Sequence, residues 1–129
     1  MTDERKFKGW IGVDFDGTLA EYHGWKGPSV LGKPIPKMLA RVRAWLAEGK
    51  EVRILTARVA HDNTQGRMLE AAAAHYAIRD WCVQYLGREI PVTCVKDWGM
   101  HELWDDRAIQ VRQNTGERAD GAPEGMVTP

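Results

Sequence analysis

The sequence has few cysteines and no net charge. Its 129 residues include two cysteines, and 18 basic residues balance 18 acidic ones. The spacing of Cys82 and Cys94 fits no metal-ligand motif, so we interpret both as reduced core thiols and not as a disulfide. The balanced charge argues against a protein that binds nucleic acid through bulk positive charge, although it leaves room for a local basic pocket.

Long apolar runs are also missing. No stretch approaches the roughly 20 apolar residues that a membrane-spanning helix needs, and the polar start MTDERKFKGW lacks the apolar centre of a signal peptide. There is no internal repeat and no low-complexity tract. With 43% hydrophobic residues, the length favours a single globular domain, which we expect to be cytoplasmic and without a membrane partner.

The chain instead alternates strand-like and helix-like segments. Short apolar runs rich in β-forming residues predict about five strands, at 10–15, 51–58, 91–95, 101–105 and 108–112. Amphipathic segments predict one helix at 35–48, ended by Gly49, and another at 62–87, with Asp62 as its N-cap and Gly87 at its end. This order predicts an α/β fold, with a mostly parallel, three-layer, Rossmann-like sheet.

The domain prediction covers residues 1–112, followed by a polar tail at 113–129 that we expect to be flexible. Residues 20–34 contain three glycines and two prolines and are predicted to form a long loop. Loops of this length in compact domains are usually functional or disordered.

Polar side chains follow four of the predicted strands, at the point where each strand ends. They are Asp14 and Asp16 after the first strand, Thr56 and Arg58 at the end of the second, Lys96 after the third, and Asp105 with Asp106 at the end of the fourth. Because ligands of parallel sheets bind outside the carboxyl ends of the strands, we expect these residues to meet at one edge.

Several carboxylates at one edge repel each other unless a cation lies between them. All-oxygen ligands favour Mg²⁺, so Asp14, Asp16 and Asp105 or Asp106 are candidate metal ligands. Lys96 adds positive charge, Thr56 adds a hydroxyl, and the backbone amides of Gly17 and Thr18 could face an anion. This combination suits a phosphoryl group. A carboxylate can attack phosphorus, and we assign this role to Asp14. A second carboxylate can transfer protons, and we assign this role to Asp16.

Four segments of the chain, in order, resemble the motifs of the haloacid dehalogenase (HAD) superfamily of phosphatases: DFDGTLA, ILTAR, Lys96 and WDDRA. The resemblance spans residues 10–112. It implies that Asp14 is the nucleophile and that Asp16 is the acid and base and lends its backbone carbonyl to the metal. It also implies that Thr56 binds the phosphoryl group and that Lys96 contacts both the nucleophile and the phosphate. Asp105 and Asp106 would bind Mg²⁺.

Two features depart from that pattern. The link KDWGM after Lys96 is too short for a crossover helix, so Lys96 could be displaced and Lys33 could take part of its role. There is also no room for a separate cap domain, so loop 20–34 stands in the place of a cap. We therefore expect an open site, and exposed aromatic residues around it are compatible with a homo-oligomer.

Substrate contacts are predicted at Gly17, Thr56, Ala57, Arg58 and Lys96, with Trp25 and Lys26 of the loop as further candidates. The leading prediction is a Mg²⁺-dependent phosphomonoester hydrolase that acts on a small phosphate ester or on a phosphorylated macromolecule end. The alternatives are a 3′-phosphatase of nucleic-acid ends and a catalytically silent module that binds a phosphate ligand. A receiver domain is disfavoured because it lacks a carboxyl at the position of Asp16.

Overall fold

The computed structural model describes residues 9–123. The N-terminal stretch and the last six residues of the predicted tail lie outside these residues. The chain forms four strands and two α-helices in the order β1 (Trp10–Val13), α1 (Pro36–Ala47), β2 (Val52–Leu55), α2 (Gln65–Leu86), β3 (Val92–Thr93) and β4 (Met100–Trp104). A short 3₁₀ turn, Ala57–Val59, lies between β2 and α2. The predicted α/β class is confirmed.

The four strands form one sheet in the order β3-β2-β1-β4, and every neighbouring pair is parallel. Val13 at the end of β1 is in register with Ile54 of β2 on one side and with Trp104 of β4 on the other. The carboxyl ends of the three strands therefore lie side by side, as the sequence predicted.

Both helices cover the same face of the sheet. The steps from β1 to β2 and from β2 to β3 run in the same direction across the sheet, and right-handed crossovers in one direction leave their helices on one side. The core on that side combines Ile11, Val13 and Ile54 of the strands with Val42 of α1 and Ile78 of α2. Within residues 9–123 the fold thus has two layers, and the predicted third layer is not formed.

The predicted helix ends are correct for α1 and partly wrong for α2. Gly49, at φ +81, follows α1 and donates its backbone N–H to Leu46, which is the glycine cap expected from the sequence. α2 begins at Gln65 and not at 62. Asp62 caps no helix, because its carboxylate instead accepts the backbone N–H and the hydroxyl of Thr64 in a local turn.

The link between β3 and β4 crosses the sheet without a helix. Asp97 accepts the indole N–H of Trp10 at 2.9 Å and the backbone N–H of Gly99 at 2.9 Å, so this short segment is fastened to the start of β1. Because β3 contains only two residues, Cys94 lies beyond it and is exposed. The prediction of two core thiols is therefore right for the buried Cys82 and wrong for Cys94.

The predicted fifth strand is also wrong. After β4, the Asp105 carboxylate accepts the backbone N–H of Arg107, which turns the chain away from the sheet. In the segment 108–112 only Val111 makes a bridge, an isolated antiparallel one to Arg118. No helix within the described part of the chain is long and apolar enough to cross a membrane.

Candidate active site

Three strand ends carry the predicted polar residues to one edge of the sheet. Asp14 follows β1, and its backbone N–H donates to the carbonyl of Trp104 at 2.9 Å, which draws the ends of β1 and β4 together. Thr56 follows β2 and donates its backbone N–H to Thr93 at 2.8 Å. Asp105 follows β4 directly. The strand-end rule therefore placed these residues correctly.

A tight turn after β1 shapes the floor of the site. The carbonyl of the fully buried Phe15 accepts the backbone N–H groups of Leu19 and Ala20 at 3.0 and 2.9 Å. Gly17 adopts φ +83, and a Cβ at this position would lie 2.6 Å from the Asp106 carboxylate. Only glycine combines this backbone conformation with such close approach of a carboxylate.

Asp14, Asp105 and Asp106 form an acidic cluster, in which one carboxylate oxygen from each residue lies within 4.8 Å of the other two. The Thr18 hydroxyl joins them: it lies 3.1 Å from Asp106 Oδ1 and 3.4 Å from Asp14 Oδ2, and it accepts the backbone N–H of Asp106 at 3.0 Å. Sequence reasoning considered only the backbone amide of Thr18 and missed this hydroxyl. Its position in the motif, two residues after Asp16, was the available signal.

The environment of Asp14 disfavours its charged form. Burial, the charge of Asp105, and a hydrogen bond and charge from Asp106 raise the pKa of Asp14 from 3.8 to about 7. Neighbouring negative charge and partial desolvation both act in the same direction here. A cation at the acidic cluster would act in the opposite direction, since it favours ionised ligands.

The side chain of Asp16 is not part of the acidic cluster. It is held instead by Arg58, whose Nε and Nη2 donate to the two Asp16 oxygens at 2.7 and 2.9 Å. The Arg58 side chain is only 4% exposed. A paired, planar contact of this kind fixes the carboxylate in orientation as well as in position.

Arg58 also fastens loop 20–34 to the site. Its Nη1 donates to the backbone carbonyls of Gly27 and Pro28 at 3.1 and 3.2 Å. Its guanidinium carbon lies 4.8 Å from the centre of the Trp25 ring, within cation–π distance. The structure thus places Arg58 between Asp16 and the loop, a connection that sequence reasoning did not foresee.

Of the remaining predicted site residues, Thr56 is buried and the three lysines are exposed. Thr56 is buried, and its hydroxyl accepts the backbone N–H of Arg58 at 3.1 Å, which leaves the hydroxyl proton available to a ligand. Ala57 begins the 3₁₀ turn. Lys96, Lys33 and Lys26 are exposed, and no carboxylate between residues 9 and 123 lies within ion-pair distance of any of them.

No protein-family model, no curated protein and no solved structure matches this chain. The chemistry must therefore be inferred from the side chains themselves. They offer three converging carboxylates, a bridging hydroxyl on Thr18, a buried hydroxyl on Thr56 and a fourth carboxylate, that of Asp16, which a buried arginine holds.

Proposed function

We propose that this protein is a Mg²⁺-dependent phosphomonoester hydrolase of the HAD type, which works through a phospho-aspartate at Asp14. The observation that carries the proposal is the convergence of Asp14, Asp105 and Asp106 at the carboxyl ends of two adjacent parallel strands. The motif order along the chain supports it, because each motif resembles the corresponding HAD motif and three of them follow a strand of the same sheet.

The acidic cluster suits Mg²⁺ in its donor chemistry. Its three side chains offer only oxygen ligands. Burial, together with the charges of Asp105 and Asp106, raises the pKa of Asp14 to about 7, so that a cation is the natural neutralising group. Asp14, Asp105 and Asp106 would hold the ion. When bound, it would offset the charge of the phosphoryl group and keep Asp14 ionised at neutral pH.

In the first step, one Asp14 oxygen attacks phosphorus while the bond between phosphorus and the leaving oxygen breaks. Asp16 enters this step in its protonated form and gives that proton to the departing alkoxide, and the Thr56 hydroxyl donates to a phosphoryl oxygen. In the second step, water attacks the phosphorus of the acyl phosphate, Asp16 accepts the proton of that water, and inorganic phosphate leaves Asp14. Each Asp16 oxygen accepts one hydrogen bond from Arg58 and keeps a second lone pair, which can carry the transferred proton.

The decisive experiment measures phosphate release from a panel of esters with Mg²⁺ and with excess chelator. The panel runs from an aryl phosphate through sugar phosphates and nucleotides to a 3′-phosphorylated oligonucleotide. We expect metal-dependent release by the wild type and none by Asp14→Asn, because a neutral amide does not attack phosphorus. Asp80→Asn, on the exposed surface of α2, is the matched control and should keep full activity. Release by Asp14→Asn at the wild-type rate would refute the mechanism.

A further inference from the structure

The tip of loop 20–34 presents an aromatic ring beside the candidate active site. Gly24 and Gly27 adopt φ +107 and +118, a left-handed conformation that other residues avoid. They bracket Trp25 and Lys26, and we call residues 24–27 the loop tip. Trp25 remains 52% exposed, although one side of its ring lies over Arg58.

This ring is held in place from below. The guanidinium that stacks on Trp25 also donates to the carbonyls of Gly27 and Pro28 and to both oxygens of Asp16. A single buried arginine therefore separates the ring from the Asp16 carboxylate. Because the ring is already ordered, a ligand that stacks on its free side loses little additional conformational entropy from the protein.

A purely structural role explains Trp25 less well. The tryptophans that pack the interior are almost completely covered: Trp10 is 2% and Trp81 is 6% exposed. Trp81 already ties this loop to α2, since its indole N–H donates to the carbonyl of Gly32 at 2.9 Å. Trp25 keeps half of its surface in solvent at the edge of the site, which is the position of a ligand-contacting aromatic.

We propose that Trp25 is a stacking platform for the alcohol part of the substrate. The site would accordingly select phosphomonoesters that carry a nucleobase close to the phosphate. This inference rests on the proposed function. Every nucleobase has a flat face that stacks on an aromatic side chain, and the neighbouring Lys26 offers an exposed positive charge to a further phosphate. A free nucleotide and a nucleic-acid end share this chemistry.

The test compares esters with and without a base: adenosine 5′-phosphate, adenosine 3′-phosphate and ribose 5-phosphate. We expect the wild type to show at least about fivefold higher kcat/KM for one adenosine phosphate than for the sugar phosphate, the lower end of measured stacking contributions. Trp25→Ala should remove this preference, lowering kcat/KM at least severalfold more for the preferred adenosine phosphate than for ribose 5-phosphate, and Trp25→Phe should retain part of it. Trp98→Ala, an exposed tryptophan in the link at the opposite end of the sheet, is the control.

Failure of this inference is distinguishable from failure of the proposed function. Equal kcat/KM for all three esters, or an equal loss on all three in Trp25→Ala, overturns the stacking platform while hydrolysis itself supports the phosphatase. Binding of the same esters to Asp14→Asn is measured by calorimetry. If no ester is hydrolysed but adenosine phosphates still bind better than ribose 5-phosphate in a Trp25-dependent way, the platform stands and the phosphatase falls.

A second arm separates the two sources of the nucleobase. A 3′-phosphorylated oligonucleotide carries an additional phosphodiester next to the terminal base, which a mononucleotide lacks. If nucleic-acid ends are the substrate class, Lys26→Ala should lower kcat/KM several times more for the oligonucleotide than for adenosine 3′-phosphate, and the oligonucleotide rate should depend less on salt. Preference for the mononucleotide, with no effect of Lys26→Ala, assigns the platform to free nucleotides. If Trp25→Ala leaves kcat/KM unchanged for both the oligonucleotide and adenosine 3′-phosphate, the stacking platform is overturned.

Discussion

The raised pKa of Asp14 predicts an unusual dependence of stability on pH in metal-free protein. The carboxyl titrates at 3.8 in the unfolded chain and at about 7 in the folded one. Between these values the unfolded chain loses its proton first, so the contribution of Asp14 becomes progressively less favourable as the pH rises, and it is constant above 7. Burial and the nearby charges of Asp105 and Asp106 are the causes.

The size of this effect follows from the two titration points. A difference between 3.8 and about 7 corresponds to roughly 4 kcal/mol at most. Because Asp14 is only partly buried, solvent screening reduces this to about 2 kcal/mol. Asp14→Asn removes the ionisable group and should be more stable than the wild type by that amount at pH 7.5, or roughly 6–10 °C in melting temperature for a domain of this size.

The assay is thermal unfolding of both proteins in excess chelator at pH 4 and pH 7.5. The advantage of Asp14→Asn should nearly vanish at pH 4, and added Mg²⁺ should stabilise the wild type more than the variant. Asp97→Asn is a control of opposite sign, because hydrogen bonds from Trp10 and Gly99 lower the pKa of Asp97, so this variant should lose stability at pH 7.5. The raised pKa of Asp14 is refuted if Asp14→Asn is no more stable than the wild type at pH 7.5. It is also refuted if the variant is more stable than the wild type by the same amount at pH 4 and pH 7.5.

Two further variants and one labelling experiment test the geometry. Gly17→Ala places a methyl group against Asp106 and should raise the Mg²⁺ concentration needed for half-maximal activity at least severalfold. Gly24→Ala, also at positive φ but with nothing within 4 Å of its Cβ, should leave that concentration unchanged. Equal effects of the two substitutions would count against the close approach of Gly17 to Asp106. Exposed Cys94 should react with a thiol reagent within minutes, while Cys82, whose pKa burial raises to about 12, should react only on unfolding. Two rapidly reacting thiols in the native protein would contradict the burial of Cys82.

The part of the site that could be predicted from the sequence is the part that parallel topology determines. Short β-rich runs separated by helices predict parallel strands, and parallel strands end at one edge, which places Asp14, Thr56 and Asp105 together. The left-handed turn at Gly17 is likewise local, since the Asp-Gly pair predicts it, whereas its close approach to Asp106 depends on the packing of β4 beside β1. These inferences need only the order of elements and the residues at their ends.

The rest depends on contacts that spacing does not encode. Arg58 and Asp16 are 42 residues apart in the chain, and nothing in their sequence positions identifies each as the partner of the other. The number of layers depends on the direction of two successive crossovers, which composition does not reveal. Cys94 was misjudged because a strand of two residues is too short to show an alternating pattern.

The final prediction tests the long-range contact between Arg58 and Asp16. Arg58→Lys keeps the positive charge but loses the paired hydrogen bonds that orient Asp16. If Arg58 positions a general acid, kcat should fall by at least about tenfold for an alkyl phosphate, whose leaving oxygen needs a proton, and much less for an aryl phosphate, whose leaving oxygen does not. Arg53→Lys is the matched control, because Arg53 stacks on Trp10 at the other end of the sheet.

A general loss of structure would lower kcat for both esters alike. Equal losses for the alkyl and aryl phosphates in Arg58→Lys would therefore assign Arg58 to fastening the loop, through Gly27 and Pro28, and not to orienting Asp16. A loss that depends on the leaving group, with unchanged melting temperature, can arise only if the contact acts on proton transfer. Arg58 would then connect loop 20–34, which we propose to contact the substrate, to the carboxylate that we propose to protonate the leaving oxygen.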